Sequence, residues 1–310
     1  MKLHHAAALL LLASTHAPGV LASCGSAFCT INTSWDVQGA WTEPGARFDL
    51  RYEAVNQTQP RTGTTDLSVG QIPRHHDEVL TRNRNWIGTF DYTFDADWGV
   101  SASLPLVDRS HDHIHNHMGG QIPESWDFRA VGDLRVLGRR RIGDGGINFG
   151  VKLPTGKFNV ANGNGDLAER TLQPGTGTTD LLVGGYYAGQ LSVKDLSWFA
   201  QTLLQVPLNY RDAYRPGSRL SLDTGLRYDL GDQWSAMLQL NILGKARDRG
   251  ANAEPEDTGG TSVWIGPGVS YAATRDVRLY GFVQVPLYQY VNGVQLVANK
   301  AVVLGLSARF

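Results

Sequence analysis

The sequence predicts an all-β fold: an antiparallel up-and-down β-barrel of about twelve strands, transmembrane and of the outer-membrane type. Three observations carry the prediction. Apolar and polar side chains alternate from residue 47 to the end, the links between segments alternate short and long, and the last ten residues, AVVLGLSARF, form a two-faced strand closing on Phe310. The chain is 42% hydrophobic, yet it carries 28 Lys+Arg against 29 Asp+Glu, for a net charge of -1. No basic excess points to nucleic acid, and no run reaches the roughly eighteen apolar residues of a membrane-spanning helix. A mean hydropathy of -0.24 suits a water-soluble protein only if the two faces of each strand are averaged together.

The elements follow in chain order. Residues 1–22 read as a secretory signal peptide, with Lys2 before the apolar run Ala6 to Ala13 and small residues near Ala22. Leu21-Ala22-Ser23-Cys24 is similar to a lipoprotein processing box, which would lipidate Cys24. The alternatives are a local disulfide between Cys24 and Cys29 in an oxidising compartment, or a metal held by the pair. The segment 23–46, with Trp35 and Trp41, is either a periplasmic extension or an inward plug.

The barrel then occupies residues 47–310. Twelve alternating segments lie near 47–55, 83–94, 98–107, 128–140, 146–155, 178–190, 196–208, 218–230, 233–244, 261–273, 277–289 and 295–310. Most have about the 9–11 residues with which a tilted strand crosses a bilayer. Links after even segments are short, such as Asp95-Ala96-Asp97 and Gly231-Asp232. Those after odd segments are mostly long: 56–82, 108–127, 156–177, 209–217 and 245–260, with Val291 to Val294 the exception. Segregation of loop length by parity is the layout of an outer-membrane barrel, and a soluble sandwich has no reason for it. Trp98, Trp198, Trp234, Tyr271 and Tyr288 sit near segment ends, as interface girdles do. Pro105, Pro154, Pro207 and Pro286 fall near the ends of odd segments, where proline's missing donor suits strand termination.

Parity then assigns a wet interior. It turns Arg47, Asp49, Arg51, Glu53, Asp91, Asp133, Arg135, Lys152, Asp180, Asp223, Arg227 and Arg278 toward the lumen, with Arg129 and Arg139 in the same series. Mixed charge at these positions either fills a narrow barrel or lines a selective path for a small polar or amphiphilic solute. Histidines gather in two external loops, His75 and His76 in the first and His111, His113, His115 and His117 in the second. The second run alternates, so extended backbone puts its four imidazoles on one side, suited to a divalent metal such as Zn, Ni or Cu(II); otherwise they solvate the rim. No other cofactor is expected. No nucleophile elbow occurs, and Ser110, His111 and Asp112 cannot form a triad by adjacency, so an enzyme is not expected.

KLPTGKF at 152–158 followed by PGTGTTDLLVGGYY at 174–187 resembles the outer-membrane transporter family named for the meta-pathway of phenol degradation, with Asp180 on that family's GTG-x-x-D strand. The resemblance is specific over about 145–190. It implies a barrel that passes hydrophobic or aromatic compounds. The sequence thus predicts a channel or transporter for small molecules in a bacterial outer membrane. Its partners would be lipid, a small solute and the barrel assembly machinery, which would read Phe310. A metal-binding, metal-uptake or sensing barrel is the alternative, and monomer or homo-oligomer is left open.

Overall fold

The computed structural model describes residues 30–72, 76–117 and 120–310, the side chain of residue 117 excepted. The expected leader 1–22, the Cys24 and Cys29 pair, His75 and the His117 imidazole lie outside the described residues. The named elements of the described chain are all strands: β1 (Gly45–Gly63), β2 (Thr65–Asp66), β3 (Asp77–Thr93), β4 (Trp98–His117), β5 (Gly120–Val131), β6 (Leu134–Ile142), β7 (Gly145–Leu153), β8 (Asp180–Gln190), β9 (Leu196–Pro207), β10 (Arg219–Leu230), β11 (Trp234–Lys245), β12 (Gly260–Ala272) and β13 (Val277–Arg309). No helix among the described residues is long and apolar enough to cross a membrane.

Each wall strand pairs antiparallel with its neighbours in the order β1, β3, β4, β6 and so on to β13. β13 folds back at Asn292-Gly293, so its first arm pairs with β12 and its second with β1, with Arg47 opposite Arg309 and Thr62 opposite Val294. The two arms also meet each other: the Arg309 amide donates to the Asp276 carbonyl at 2.9 Å, and the Tyr280 ring lies over Gly305. Eleven elements therefore close the wall, and β13 supplies two of its passes. β2 and β5 are additions at one end.

Alternation decides what each face meets. Phe48, Leu50, Phe90, Leu222, Leu226, Leu304 and Leu306 stand exposed on the outside, while Glu53, Asn85, Asp91, Asp223 and Gln239 are buried inside. A water-soluble fold has the opposite arrangement. Lipid outside and polar groups inside satisfy both faces, and closure pairs the backbone of every wall strand, as hydrocarbon demands. Aromatic pairs ring the short-turn end: Trp234 with Tyr271 at 4.7 Å, Tyr187 with Trp198 at 5.6 Å, and Trp98 with Phe149 at 6.3 Å.

The turns at that end are fixed by local chemistry. Asp95 Oδ1 accepts the amides of Asp97 and Trp98, each at 2.8 Å. Thr274 Oγ1 accepts those of Asp276 and Val277 at 3.1 and 3.0 Å. Side-chain acceptors of this kind hold a tight turn without a longer loop.

The opposite end departs from the sequence expectation. Segments 56–82 and 108–127, expected as loops, are largely strand: β1 runs on to Gly63, β3 starts at Asp77, and β4 and β5 form a hairpin. The polar side chains that hid these strands from a search for apolar faces point into the lumen or into water, beyond the lipid. The expected segment 128–140 is two strands. β5 pairs with β4 from Leu106 to His117, and β6 pairs with β4 from Trp98 to Ser103. The break at Gly132-Asp133 shifts parity by one, so Arg129, expected inside, is exposed on the outer face with Phe128 buried instead. Pro105 does not end a strand either. It sits in β4 where the partner changes from β6 to β5, and its carbonyl accepts the Gly132 amide at 2.8 Å. Pro286 similarly falls at the bulge where Trp264 takes over from Val263 in the register. Both prolines occupy places where the ladder needs no donor.

The β13 fold-back rests on Gly293, whose φ of 57° is left-handed. A Cβ there would run into the Asp257 carboxylate, which accepts the Val294 amide at 2.8 Å. Gly293→Val is expected to lower the melting temperature in detergent, read by circular dichroism, because left-handed backbone alone costs a side-chain-bearing residue about 1–2 kcal/mol. An unchanged melting temperature would refute this turn geometry.

Candidate functional site

The lumen is built in three tiers. Residues 30–44, which join β1 at the short-turn end, fold inside the wall. Asn32 bonds Gln201, and its carbonyl accepts Gln239 Nε2 at 2.8 Å. Trp35 packs edge-on against Tyr280 at 5.4 Å and donates its Nε1 hydrogen to Ser307 at 2.8 Å. Arg278 lies over the rings of Trp35 and Trp41, at 5.1 and 5.5 Å. The plug is locked by charge. Asp36 pairs with Arg139 and lies 3.5 Å from Arg47, and both arginines also bind Asp91. Two buried carboxylates thereby face two buried guanidiniums, which keeps desolvation tolerable only while the set is complete.

Above the plug lies a chamber of about 340 Å³, within the range of small-molecule sites. Its lining is amphiphilic. Leu137, Leu203, Leu243 and Trp35 share it with Arg51, Arg135, Arg219, Asp49 and Asp223. Asp49 accepts from the Tyr280 hydroxyl at 2.9 Å and from Ser307, and Asp223 accepts from Asn241 at 2.8 Å. Arg51 is answered by Glu53 at 3.0 Å and by Thr33 at 2.9 Å. Arg135 Nε has no hydrogen-bond partner among the described residues. Nearer the short turns, Arg227 pairs with Asp229 on its own strand at 2.8 Å.

The third tier is the connection 154–179, folded inward beneath the β4–β5 hairpin. Leu172 and Ala168 pack with Val107, Trp126, Phe128 and Leu296 in an apolar cluster inside the mouth. Lys152 anchors the base of this lid, 2.9 Å from Asp133 and 3.3 Å from Asp180. Asp133 in turn accepts the amides of Gly156 and Thr176, at 3.1 and 2.9 Å. Arg109 crosses from β4 to the Leu172 carbonyl and donates to Asn83 at 2.6 Å. Burial raises Glu169 well above the carboxylate range, helped by Glu254, Glu78 and Asp257. Burial and neighbouring carboxylates push Glu254 up to about 8.

The histidines stand over this lid. His111 and His113 are buried on the inner face of the β3–β4–β5 sheet, with His76 and His115 beside them. Burial, with His113 and Arg109 nearby, pushes His111 down to about 3, so its imidazole is neutral at neutral pH. Alternation sends Ser110 and Asp112 to the opposite face from His111, which separates the three residues of the apparent triad. Phe310 is exposed at the short-turn end, its amide donating to the Ala46 carbonyl at 2.9 Å.

The regular strands turn Arg47, Glu53, Asp91, Lys152, Asp180 and Asp223 into the buried interior, the face that parity assigns them. Parity missed Asp36 and the lid, which lie outside any alternation, and it did not join Glu78 to the histidines. Continuing the β4 alternation past Leu106 would have found Arg109.

No protein-family model matches the chain, and no curated protein does. The resemblance to the phenol-pathway family therefore stands on its own residues alone. Among solved structures, the COG4313 outer membrane channel from Pseudomonas putida F1 superposes with a TM-score of 0.68 at 13% identity, covering 90% of this chain and 100% of that one. It shares the fold. The Ralstonia pickettii toluene transporter TbuX and the CymD monoaromatic hydrocarbon channel match at TM-scores of 0.44 and 0.43, with 14% and 9% identity, over 86% and 91% of this chain and 90% and 95% of theirs. Neither adds to the fold already established.

Removing one partner from a buried ion set typically costs about 3–5 kcal/mol, because the other charges stay buried. Asp36→Ala is therefore expected to release the plug from Arg47 and Arg139 while the wall stays closed. Single-channel conductance should rise severalfold with an unchanged β-sheet dichroism spectrum. Equal conductance in the two proteins would show that the plug is held by other contacts.

Proposed function

We propose that the protein is a passive channel of the bacterial outer membrane for small amphiphilic molecules, aromatic acids among them. One observation carries the reading. The chamber presents Leu137, Leu203 and Leu243 of the wall and Trp35 of the plug beside the wall arginines Arg51, Arg135 and Arg219, above a plug that is itself held by side-chain contacts. A cavity of about 150 Å³ already admits benzene, so about 340 Å³ accommodates one ring with its substituents. Arg135 is the group suited to a carboxylate, since its Nε is buried without a partner among the described residues. The apolar exterior suits lipid, and the fold shared with a bacterial outer-membrane channel supports the same reading. The metal-uptake alternative finds no support in these likenesses. In the outer membrane, the exposed Phe310 is the group that the assembly machinery would read.

Transport separates this from a closed structural barrel. In liposomes carrying the purified chain, benzoate is expected to permeate faster than a neutral sugar of similar size. Arg135→Ala should reduce the benzoate rate by about tenfold, equivalent to 1.4 kcal/mol, and leave the sugar rate alone. Liposomes that pass neither solute, with or without the Asp36→Ala change, would remove the channel reading.

A further inference from the structure

The histidines at the mouth are chemistry that passage of a small amphiphile does not use. Nε2 of His111 lies 3.2 Å from Oε2 of Glu78, and both side chains are fully buried. Glu78, His111 and His113 each offer a ligand atom, and these atoms lie within 4.8 Å of one another. Bonds of about 2.0–2.2 Å to one tetrahedral ion separate its ligand atoms by roughly 3.2–3.6 Å. The Glu78–His111 spacing is already of that size, and the third ligand needs a shift of about an ångström.

The groups behind the imidazoles fit the same purpose. His111 Nδ1 contacts Thr81 Oγ1 at 2.8 Å, and His113 Nε2 contacts Glu124 Oε2 at 3.1 Å. When Thr81 and Glu124 accept these ring hydrogens, the lone pair of His111 lies on Nε2 and that of His113 on Nδ1. That Nδ1 is buried with no hydrogen-bond partner among the described residues. An acceptor on the remote nitrogen is how proteins fix the tautomer of a metal-binding histidine. Two imidazoles and one carboxylate also form a donor set that suits zinc-type divalent ions.

We propose that Glu78, His111 and His113 bind one divalent transition-metal ion at the external mouth of the barrel, with Thr81 and Glu124 as positioning residues. His76 and His115, whose rings are 3.9 Å apart, form a second triad with His113. His76 is buried and His115 half-buried, and neither belongs to the proposed ligand set. The site has a mechanical role because of Trp126, which packs at 5.8 Å from His111 and 4.8 Å from His113 and donates to the Asp166 carbonyl of the lid at 2.9 Å. An ion there fixes β3 and β4 to each other under the tryptophan that the lid leans on. The binding site itself does not depend on the channel reading.

Calorimetric titration of the untagged full-length chain in detergent with Zn²⁺ tests the assignment, with cobalt absorption reporting the coordination geometry. One ion per chain is expected in a tetrahedral environment. Glu78→Gln and His111→Gln should each weaken binding by at least about 100-fold, and Thr81→Val by about 10–100-fold. The double variant His76→Gln/His115→Gln should keep the stoichiometry and most of the affinity. Equal zinc affinity in wild type and Glu78→Gln would overturn the proposal. So would a loss confined to the His76→Gln/His115→Gln protein, which would mean adventitious capture by outer histidines. If either first-ligand variant fails to fold, Thr81→Val carries the decision, since an unchanged affinity there contradicts an ordered His111 ligand.

Discussion

Everything else in this protein follows from the pairing of β1 with the second arm of β13. In hydrocarbon an unpaired backbone amide or carbonyl costs several kcal/mol, and no water is available to replace the partner. A sheet with two free edges is therefore excluded, and the run of pairs from Arg47–Arg309 to Thr62–Val294 removes them. Closure in turn sets the curvature, and curvature fixes which residues point inward. The residues at the seam obey two demands at once. Phe48 and Leu306 face lipid, while Asp49 and Ser307 bond each other inside.

A barrel of this girth is too wide for wall side chains alone to fill and too narrow to hold bulk water across its whole section. The chain resolves this by sending its own backbone into the lumen from both ends. The plug carries Asp36 to two wall arginines, which would otherwise crowd their charges around Asp91. The lid is held differently, by an apolar cluster above and the Lys152–Asp133–Asp180 set below. The plug is therefore sensitive to charge, and the lid to both packing and charge.

At the mouth the β3–β4–β5 sheet rises past the membrane with no lipid to hold its outer face. Asp108, Ser110 and Asp112 occupy that face, opposite the buried Arg109, His111 and His113. Buried imidazoles and carboxylates there do structural work that leucine does inside a soluble sheet. They are costly to desolvate, so they persist only when paired with one another or with a cation.

The sequence by itself determined the antiparallel barrel class, the twelve passes of its wall and their order, the inner and outer faces of the regular strands and the short-turn end, but not β2 or β5. Each of these is a local property: a two-residue period is written along the chain, and tight turns carry their own acceptors, as Asp95 and Thr274 show. The tertiary structure alone decided where the plug goes, how the lid folds and which strand pairs with the upper half of β4. Those outcomes depend on residues far apart in sequence that share the small volume inside the wall, such as Asp36 with Arg139 and Arg109 with Leu172. Parity failed where the backbone broke step at Gly132-Asp133, since one shifted residue exchanges the faces and turns Arg129 outward. It also had nothing to say about Glu78 and His111, whose proximity arises only because β3 and β4 pair in a register displaced by a bulge between Glu78 and Leu80.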